Sequence, residues 1–168
     1  MAPLILVFGG ARSGKSRHAE RLICEYPPRW TYIATAEALD DEMGERIAQH
    51  RARRDERWQT LEAPRALADA VRNAPADQPL LIDCLTLWLS NRLLGDADLD
   101  QDMSGLSEML ALRTAATIVV ANEVGLGIVP DNALARRFRD AAGKANQMLA
   151  AQADRVEFVA AGLALRLK

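Results

Sequence analysis

The feature that most constrains the fold is an eight-residue motif near the amino terminus. It matches G-x-x-x-x-G-K-[ST] and reads Gly9-Gly10-Ala11-Arg12-Ser13-Gly14-Lys15-Ser16. An apolar run at residues 4–8 precedes it, and a segment with helical character follows. This strand–loop–helix order is the setting that a phosphate-binding loop requires. We therefore predict a nucleoside triphosphate site. The alternative is a glycine-rich strand-to-helix turn that binds no ligand.

The residue types in this motif suit phosphate chemistry. Glycines permit backbone conformations that a Cβ would forbid, so successive N–H groups can converge on a triphosphate. The start of the following helix adds the positive end of its dipole. Lys15 is predicted to reach the β- and γ-phosphates, and the Ser16 hydroxyl to ligate Mg²⁺.

Composition narrows the class of protein. A chain of 168 residues has the length of one domain, so we expect residues 1–168 to form a single unit. The net charge of −2 provides no basic surface for nucleic acid. No apolar run approaches a membrane span, and the first residues lack the basic start of a signal peptide. Cys24 and Cys84 are expected to be buried free thiols, which fits a cytoplasmic protein.

Apolar runs and helical stretches alternate along the chain. The runs are nearly continuous in apolar character, which is typical of parallel strands covered on both faces. They lie at residues 30–34, 80–84, 117–121 and 156–160, in addition to 4–8. Helices are predicted at 15–26, 40–58, 64–73, 85–94, 103–114 and 132–153. This order predicts an α/β fold, a three-layer P-loop NTPase-type sandwich with a mostly parallel sheet. The acidic stretch 95–104 is expected to be a mobile surface connection.

A second candidate for phosphate chemistry is Asp83, which ends an apolar strand. In P-loop proteins a carboxylate at this position holds Mg²⁺ directly or through water. The alternative is a cap on the helix that begins at Leu85.

The third candidate is His50, on a predicted helix with acidic residues near its amino terminus and basic residues near its carboxyl end. Helical spacing places Met43, Ile47, His50 and Arg54 on one face, so His50 belongs to the apolar side. Neighbouring arginines disfavour further positive charge on the imidazole, which keeps it neutral and nucleophilic. They would also neutralise charge on a leaving pyrophosphate. From these residues alone, a structural histidine and a phosphate-handling histidine both stay open.

Several further motifs carry a family resemblance. With Gly9–Ser16 as the first, they run in one order along the chain: Tyr32-Ile33-Ala34-Thr35-Ala36, Asp41-Glu42-Met43, Arg46-Ile47 with His50, Trp58-Gln59-Thr60-Leu61-Glu62, Asp83-Cys84-Leu85-Thr86, residues 122–130, Arg137-Phe138-Arg139-Asp140, Gly143 and Asn146-Gln147. The chain resembles the bifunctional adenosylcobinamide kinase/adenosylcobinamide-phosphate guanylyltransferase family of cobalamin assembly. One departure is a shorter-looking segment between Leu94 and Thr117, which touches no motif.

The resemblance implies two reactions. ATP or GTP phosphorylates the hydroxyl of the aminopropanol arm of adenosylcobinamide. A histidine then attacks the α-phosphorus of GTP, and its bound GMP passes to adenosylcobinamide phosphate to give adenosylcobinamide-GDP. The family's histidine falls on His50.

The resemblance also implies further contacts and an assembly. It places nucleotide contacts at Ala34, Thr35, Ala36, Glu62 and Asp83, and assigns the guanylyl group or its phosphates to Arg51, Ala52, Arg53 and Arg54. Glu62 would accept from the guanine N1–H and N2–H₂ groups. It implies a homotrimer.

Two alternatives accompany this interpretation. A P-loop kinase of a small metabolite would leave His50 structural, and a nucleotide-dependent switch would act through a partner. The switch is disfavoured because residues 122–130 are not the Asn-Lys-x-Asp guanine motif of signalling GTPases. That segment, from Asn122 to Pro130, is either a substrate or subunit contact or a structural turn.

Overall fold

A computed structural model describes residues 2–37 and 41–168. Strands and helices alternate through most of this part of the chain. The strands are β1 (Leu4–Gly9), β2 (Trp30–Ala34), β3 (Trp58–Glu62), β4 (Leu80–Asp83), β5 (Thr117–Asn122), β6 (Arg155–Ala160) and β7 (Leu163–Arg166). The helices are α1 (Lys15–Ile23), α2 (Asp41–Ala52), α3 (Leu67–Asn73), α4 (Leu85–Leu94), α5 (Leu99–Ala111) and α6 (Ala133–Gln152).

These strands form one sheet in the order β3-β2-β4-β5-β1-β6-β7. All neighbours are parallel except β6 and β7, which pair antiparallel. β4 and β1 flank β5, so Asp83 and Gly9 end strands on either side of β5 at the same edge of the sheet. Ligands of open α/β sheets bind at this carboxyl edge.

Alternate residues of the central strands face opposite layers. Leu6 and Ile82 pack with α3, α4, α5 and α6, whereas Val7 and Leu81 pack with α1. This two-sided burial explains the continuous apolar runs, and it confirms the predicted three-layer α/β sandwich.

The five predicted strands are confirmed to within one residue at each end, but β3 and β7 were missed. Both are edge strands: β3 is only half-buried along its length, and all four residues of β7 are exposed. A strand with one or no covered face needs no continuous apolar run, so that criterion finds central strands only.

The predicted helix 40–58 was wrong at its carboxyl end. α2 ends at Ala52, a turn follows, and Trp58 begins β3, while Asp40 lies outside the described residues. Smaller differences occur in two other helices. α1 ends at Ile23 rather than at residue 26, and α3 begins at Leu67 rather than at residue 64.

The acidic stretch 95–104 is mostly helix rather than a surface connection. Asp98 is the N-cap of α5, and its carboxylate accepts from the backbone N–H groups of Asp100 and Gln101. Asp102 also pairs with Arg92 of α4 at 2.7 Å. The carboxylates gather there because they satisfy the free N–H groups and the dipole of a helix start.

Two other expectations concern the cysteines and the membrane. Both cysteines are free, as predicted, but Cys24 is exposed rather than buried because it lies at the end of α1, and Cys84 is only partly buried. Among residues 2–37 and 41–168, no helix combines the length and apolar character needed to cross a bilayer.

Candidate active site

The predicted phosphate loop connects β1 to α1 at the carboxyl edge of the sheet. Gly14 has a φ of 94°, a left-handed conformation that favours glycine, and precedes Lys15 at the start of α1. Lys15 is buried, and its Nζ donates to the Gly10 carbonyl at 3.0 Å. The loop therefore has the strand–loop–helix setting that the motif predicted.

The turn between β6 and β7 supports this loop from the side. The Gly162 N–H donates to the Ser13 carbonyl at 2.8 Å. A Cβ on Gly14 would lie 3.2 Å from the Cα of Gly162, so the two backbones are in close contact. A Cβ on Gly9 would lie 2.2 Å from the Val159 carbonyl oxygen, which leaves room for glycine alone.

Asp83 is the polar centre of the site. The Ser16 hydroxyl donates to Oδ1 at 3.1 Å, the Tyr32 hydroxyl donates to Oδ2 at 2.7 Å, and Nδ1 of His50 lies 3.5 Å from Oδ2. Burial raises the pKa of the Asp83 carboxyl, but the nearby His50 imidazole and hydrogen bonds from Tyr32 and Ser16 bring it below its ordinary value. Cys84, not Asp83, is the N-cap residue of α4, so the capping alternative is not what the geometry shows.

Ser16 and Asp83 also meet the requirements of a Mg²⁺ ion. Both supply hard oxygen ligands, and their hydrogen bond shows that the two oxygens lie close together. Mg²⁺ is held in phosphate-transfer sites by one or two such protein oxygens, with phosphate oxygens and water completing the shell. The residues present therefore fit the ion that the sequence predicted.

α2 brings His50 to this centre. His50 is in the last turn of the helix, and its side chain is 29% exposed, enough to be reached from the cavity. Ile47 and His50 of α2 line the same cavity, in agreement with the predicted common face, and the side chain of Met43 lies outside the described ones. Arg54 also lines the cavity, but from beyond the end of α2 rather than from the helix.

The neighbouring arginines have three different environments. Arg51 pairs with Glu62 at 2.6 Å on the surface, and Arg53 lies 4.0 Å from Glu20. Arg54 stacks on the ring of Tyr32, with its Cζ 3.7 Å from the ring centroid. Nε and Nη1 of Arg54 are buried and have no hydrogen-bond partner among the described residues.

A cavity of about 250 Å³ joins the phosphate loop to His50. The predicted site residues that line it are Ala11, Arg12, Lys15, Ser16, Ala34, Ala36, His50, Arg54 and Asp83. The predicted site residues that do not line this cavity are Gly9, Gly10, Ser13, Gly14, Thr35, Arg51, Ala52, Arg53 and Glu62. A larger groove of about 510 Å³ runs between α4, α5 and α6 and contains none of the predicted residues.

Thr35 was predicted to contact the nucleotide, but it does not line the cavity. It is fully buried, and its hydroxyl donates to the Cys84 carbonyl at 2.6 Å and accepts from the Cys84 N–H at 3.1 Å. The side chain therefore joins the end of β2 to the end of β4 and helps to hold Asp83 in place.

The cavity also includes Tyr32, which the sequence did not identify as a site residue, and Asn122, the first residue of the segment expected to be either a substrate or subunit contact or a structural turn. Asn122 ends β5 beside Gly9, and its Nδ2 lies 3.6 Å from the sulfur of Cys84. A polar side chain at the carboxyl end of a buried strand was the available signal. Residues 125–129 of the same loop are surface-exposed, with Leu126, Ile128 and Val129 at 83%, 98% and 62% exposure.

Solved structures resemble this architecture. A KaiC-like protein of Pyrococcus horikoshii superposes with a TM-score of 0.51 at 14% identity, covering 93% of this chain and 70% of that chain. A RadB recombinase gives a TM-score of 0.54 at 16% identity, with 94% and 74% coverage. At these identities the likeness concerns the fold alone, and it confirms the P-loop NTPase-type sandwich.

Sequence relatives are much more similar. The bifunctional adenosylcobalamin biosynthesis protein CobP of Pseudomonas aeruginosa is 52% identical over 166 residues, covering 97% of this chain and 96% of the relative. The CobU protein of Salmonella typhimurium, with the same description, is 42% identical over 181 residues, with 98% and 99% coverage. A model of the CobU family, described as cobinamide kinase / cobinamide phosphate guanyltransferase, matches residues 5–167. The chain belongs to the CobU family of cobinamide kinases and cobinamide phosphate guanyltransferases.

Proposed function

We propose that this chain phosphorylates adenosylcobinamide with ATP or GTP and then transfers GMP from GTP to the product, giving adenosylcobinamide-GDP. Membership of the CobU family supports both reactions. The observation that carries the two-step interpretation is His50, whose imidazole lies beside Asp83 in the cavity of the phosphate loop. A histidine with a merely structural role has no need of this position.

In the kinase reaction the loop from Gly9 to Ser16 would bind the triphosphate through its backbone N–H groups. Lys15 would exchange its bond to Gly10 for phosphate oxygens, since its Nζ already lies inside the loop. Ser16 and Asp83 would hold Mg²⁺, which when bound neutralises charge on the phosphates.

In the transfer reaction His50 would act as nucleophile. A ring proton on Nδ1, facing the Asp83 carboxylate at 3.5 Å, leaves the lone pair on Nε2. Nε2 would attack the α-phosphorus of GTP, and the bond from that phosphorus to the bridging oxygen would break, releasing pyrophosphate. The ring would then be positively charged, and the Asp83 carboxylate would stabilise it.

The second half of the transfer returns His50 to its starting state. A phosphate oxygen of adenosylcobinamide phosphate would attack the same phosphorus, and the phosphorus–nitrogen bond would break. The electron pair returns to Nε2, so the ring is again neutral. Splitting one transfer into two in this way is what nucleophilic catalysis achieves.

The remaining predicted contacts form part of the same proposal. Arg54 offers two buried N–H groups without partners to phosphate oxygens. Ala34 and Ala36 line the cavity, and exposed Glu62 on β3 would accept from guanine once released from Arg51. Ala52 and Arg53, at the end of α2 and just beyond, complete the proposed guanylyl contacts.

We also propose that residues 1–168 act as a single domain in a cytoplasmic homotrimer that needs no nucleic acid. Exposed apolar side chains support an interface between copies. They lie in the loop 122–130 and on β7, where Leu163 and Leu165 are 76% and 61% exposed.

Product analysis tests the proposed function. With adenosylcobinamide and nucleotide labelled at the γ-phosphate, we expect label in the corrinoid, and a loss of at least about 100-fold in Lys15→Ala. With GTP alone, we expect one pyrophosphate per chain in a rapid burst, absent in His50→Ala. GTP binding to both proteins, measured by equilibrium dialysis, controls for an intact site. A burst that survives in His50→Ala would refute His50 as the nucleophile, and a wild-type protein that binds GTP without a burst would leave a small-metabolite kinase.

A further inference from the structure

Tyr32 contacts two residues of the candidate active site, Asp83 and Arg54, although nothing in the sequence assigned it a role there. The side chain is on β2 and is only 3% exposed. The ring of Trp58, from the neighbouring strand β3, meets it edge-on with centroids 6.1 Å apart. Tyr32 is therefore held rigidly in the layer between the sheet and α1.

The hydroxyl of Tyr32 fixes the carboxylate of Asp83. It donates to Oδ2 at 2.7 Å, while Ser16 donates to Oδ1 at 3.1 Å. Nδ1 of His50 approaches the same Oδ2 at 3.5 Å, so the orientation of the carboxylate decides whether His50 is well placed. A short hydrogen bond from a buried, rigid donor fixes that orientation.

The ring of Tyr32 fixes the guanidinium of Arg54. The Cζ of Arg54 lies 3.7 Å above the ring centroid, a stacked cation–π contact. Arg54 follows the end of α2, and it would otherwise move freely on four rotatable bonds. Its Nε and Nη1 are buried without partners among the described residues, and Arg54 lines the same cavity as His50. Buried N–H donors without acceptors are costly, and an anionic phosphate would satisfy them.

We propose that Tyr32 is a positioning residue with two separable actions: its hydroxyl holds Asp83 for His50 and Ser16, and its ring holds Arg54 for the phosphates of the nucleotide. The inference rests on the proposed function, since His50 and Arg54 are assigned by it. Tyr32 itself touches no reacting atom in this account. It acts through the two residues that do.

The two actions predict different kinetic effects. Tyr32→Phe keeps the ring and removes the hydroxyl, so we expect kcat for guanylyl transfer to fall about 10-fold with KM for GTP changed less than about 2-fold. Tyr32→Leu removes both, and we expect KM for GTP to rise about 5-fold in addition. Trp58→Phe is the matched control, because the Trp58 ring packs against Tyr32 and takes no part in the hydrogen bonds of Asp83 or the stacking of Arg54 described above.

A double-mutant cycle tests the action through Arg54. If the ring of Tyr32 acts only by placing Arg54, the KM of Tyr32→Leu/Arg54→Ala equals that of Arg54→Ala alone. Fold-changes that multiply would overturn this part of the proposal. Thermal melting of every variant separates lost positioning from lost folding, and Tyr32→Phe retains the packing of the ring.

The outcomes also separate this inference from the proposed function. If the wild-type protein forms no guanylyl-histidine, the transfer reaction fails, and Tyr32 is judged on the kinase reaction, in which Asp83 and Ser16 also take part. A kcat loss in Tyr32→Phe then still supports the inference. Wild-type kcat in Tyr32→Phe for both reactions, or the same loss in Trp58→Phe, overturns it.

Discussion

At the scale of single residues, Gly9 shows how closely the phosphate loop is packed. It ends β1, between Asn122 of β5 and Val159 of β6. A Cβ at Gly9 would lie 2.2 Å from the Val159 carbonyl oxygen and 3.0 Å from Oγ of Ser13. The first of these contacts is with backbone, so a side chain there would have to displace a strand.

We predict that Gly9→Ala destabilises the fold by about 3 kcal/mol or more, because the clash is with rigid backbone. Gly10→Ala is the control, since nothing lies within 4 Å of a Cβ at that position. Its free energy of unfolding should differ from wild type by less than about 1 kcal/mol. Urea unfolding of the three proteins measures both values. Equal losses for the two variants would show that the strand can move.

Single residues also show what the sequence could predict of the site. Lys15, Ser16 and Asp83 were identifiable because the roles proposed for them follow from a local motif and a strand end. Tyr32 was not, because its role depends on the register that places Ala34 of β2 opposite Asp83 of β4. Asn122 reaches the cavity for the same kind of reason, through its pairing with Gly9.

At the scale of elements, a partly buried hydrogen bond joins α1 to β6 behind the phosphate loop. Oε2 of Glu157 lies 2.6 Å from Nε2 of His18, and Oε1 accepts from the guanidinium of Arg155. Arg21 approaches the other ring nitrogen of His18 at 3.4 Å. Since His18 is one turn after Gly14, this cluster fixes the helix that carries Lys15 and Ser16.

The pKa of Glu157 makes this link pH-dependent. Burial raises the pKa of its carboxyl, but hydrogen bonds from His18 and Arg155 and the charge of Arg155 bring it below its ordinary value of 4.5. A carboxyl with a depressed folded pKa contributes stability above its unfolded pKa, and that contribution disappears as pH falls through the folded value.

We predict that Glu157→Gln is less stable than wild type at pH 7 and that this difference shrinks as pH falls below about 4.5. Urea unfolding at several pH values between 7 and 3 measures it. Other carboxyls, including Asp83, titrate in both proteins. The difference in free energy of unfolding between wild type and Glu157→Gln therefore reports on Glu157 alone. A difference that stays constant across this range would contradict the assignment.

The strands and helices also show which elements could be predicted from the sequence pattern and which could not. The central strands were predictable because two covered faces require continuous apolar residues. In β3 the pattern Trp58-Gln59-Thr60-Leu61-Glu62 has three polar residues of five, and helix and edge strand are then hard to distinguish. The acidic residues before α5 similarly resemble a loop until Asp98 is seen to cap the helix.

At the scale of the whole molecule, large exposed apolar side chains occur in the loop 122–130 and on β7. Ile128 is 98% exposed in the loop that follows β5, and β7 is an uncovered edge strand with exposed leucines. Edge strands and large exposed apolar side chains are the surfaces on which chains associate. This agrees with the proposed homotrimer.

We predict that the protein in solution has about three times the 18.4 kDa mass of one chain. Ile128→Asp should shift the mass measured by light scattering toward that of the monomer, because a charge would be buried at an apolar contact. Ile128→Leu is the control and should retain the trimer. A monomeric wild-type protein, or an Ile128→Asp protein of unchanged mass, would contradict this assignment.

The central claim, that His50 carries the guanylyl group, has a direct test. The protein is incubated with Mg²⁺ and GTP labelled at the α-phosphate, denatured, and examined for retained label. We predict about one label per chain in wild type, lost in acid and stable in alkali as a phosphoramidate is, and none in His50→Ala. An unlabelled wild-type protein that demonstrably binds GTP, or label retained in His50→Ala, would contradict the claim.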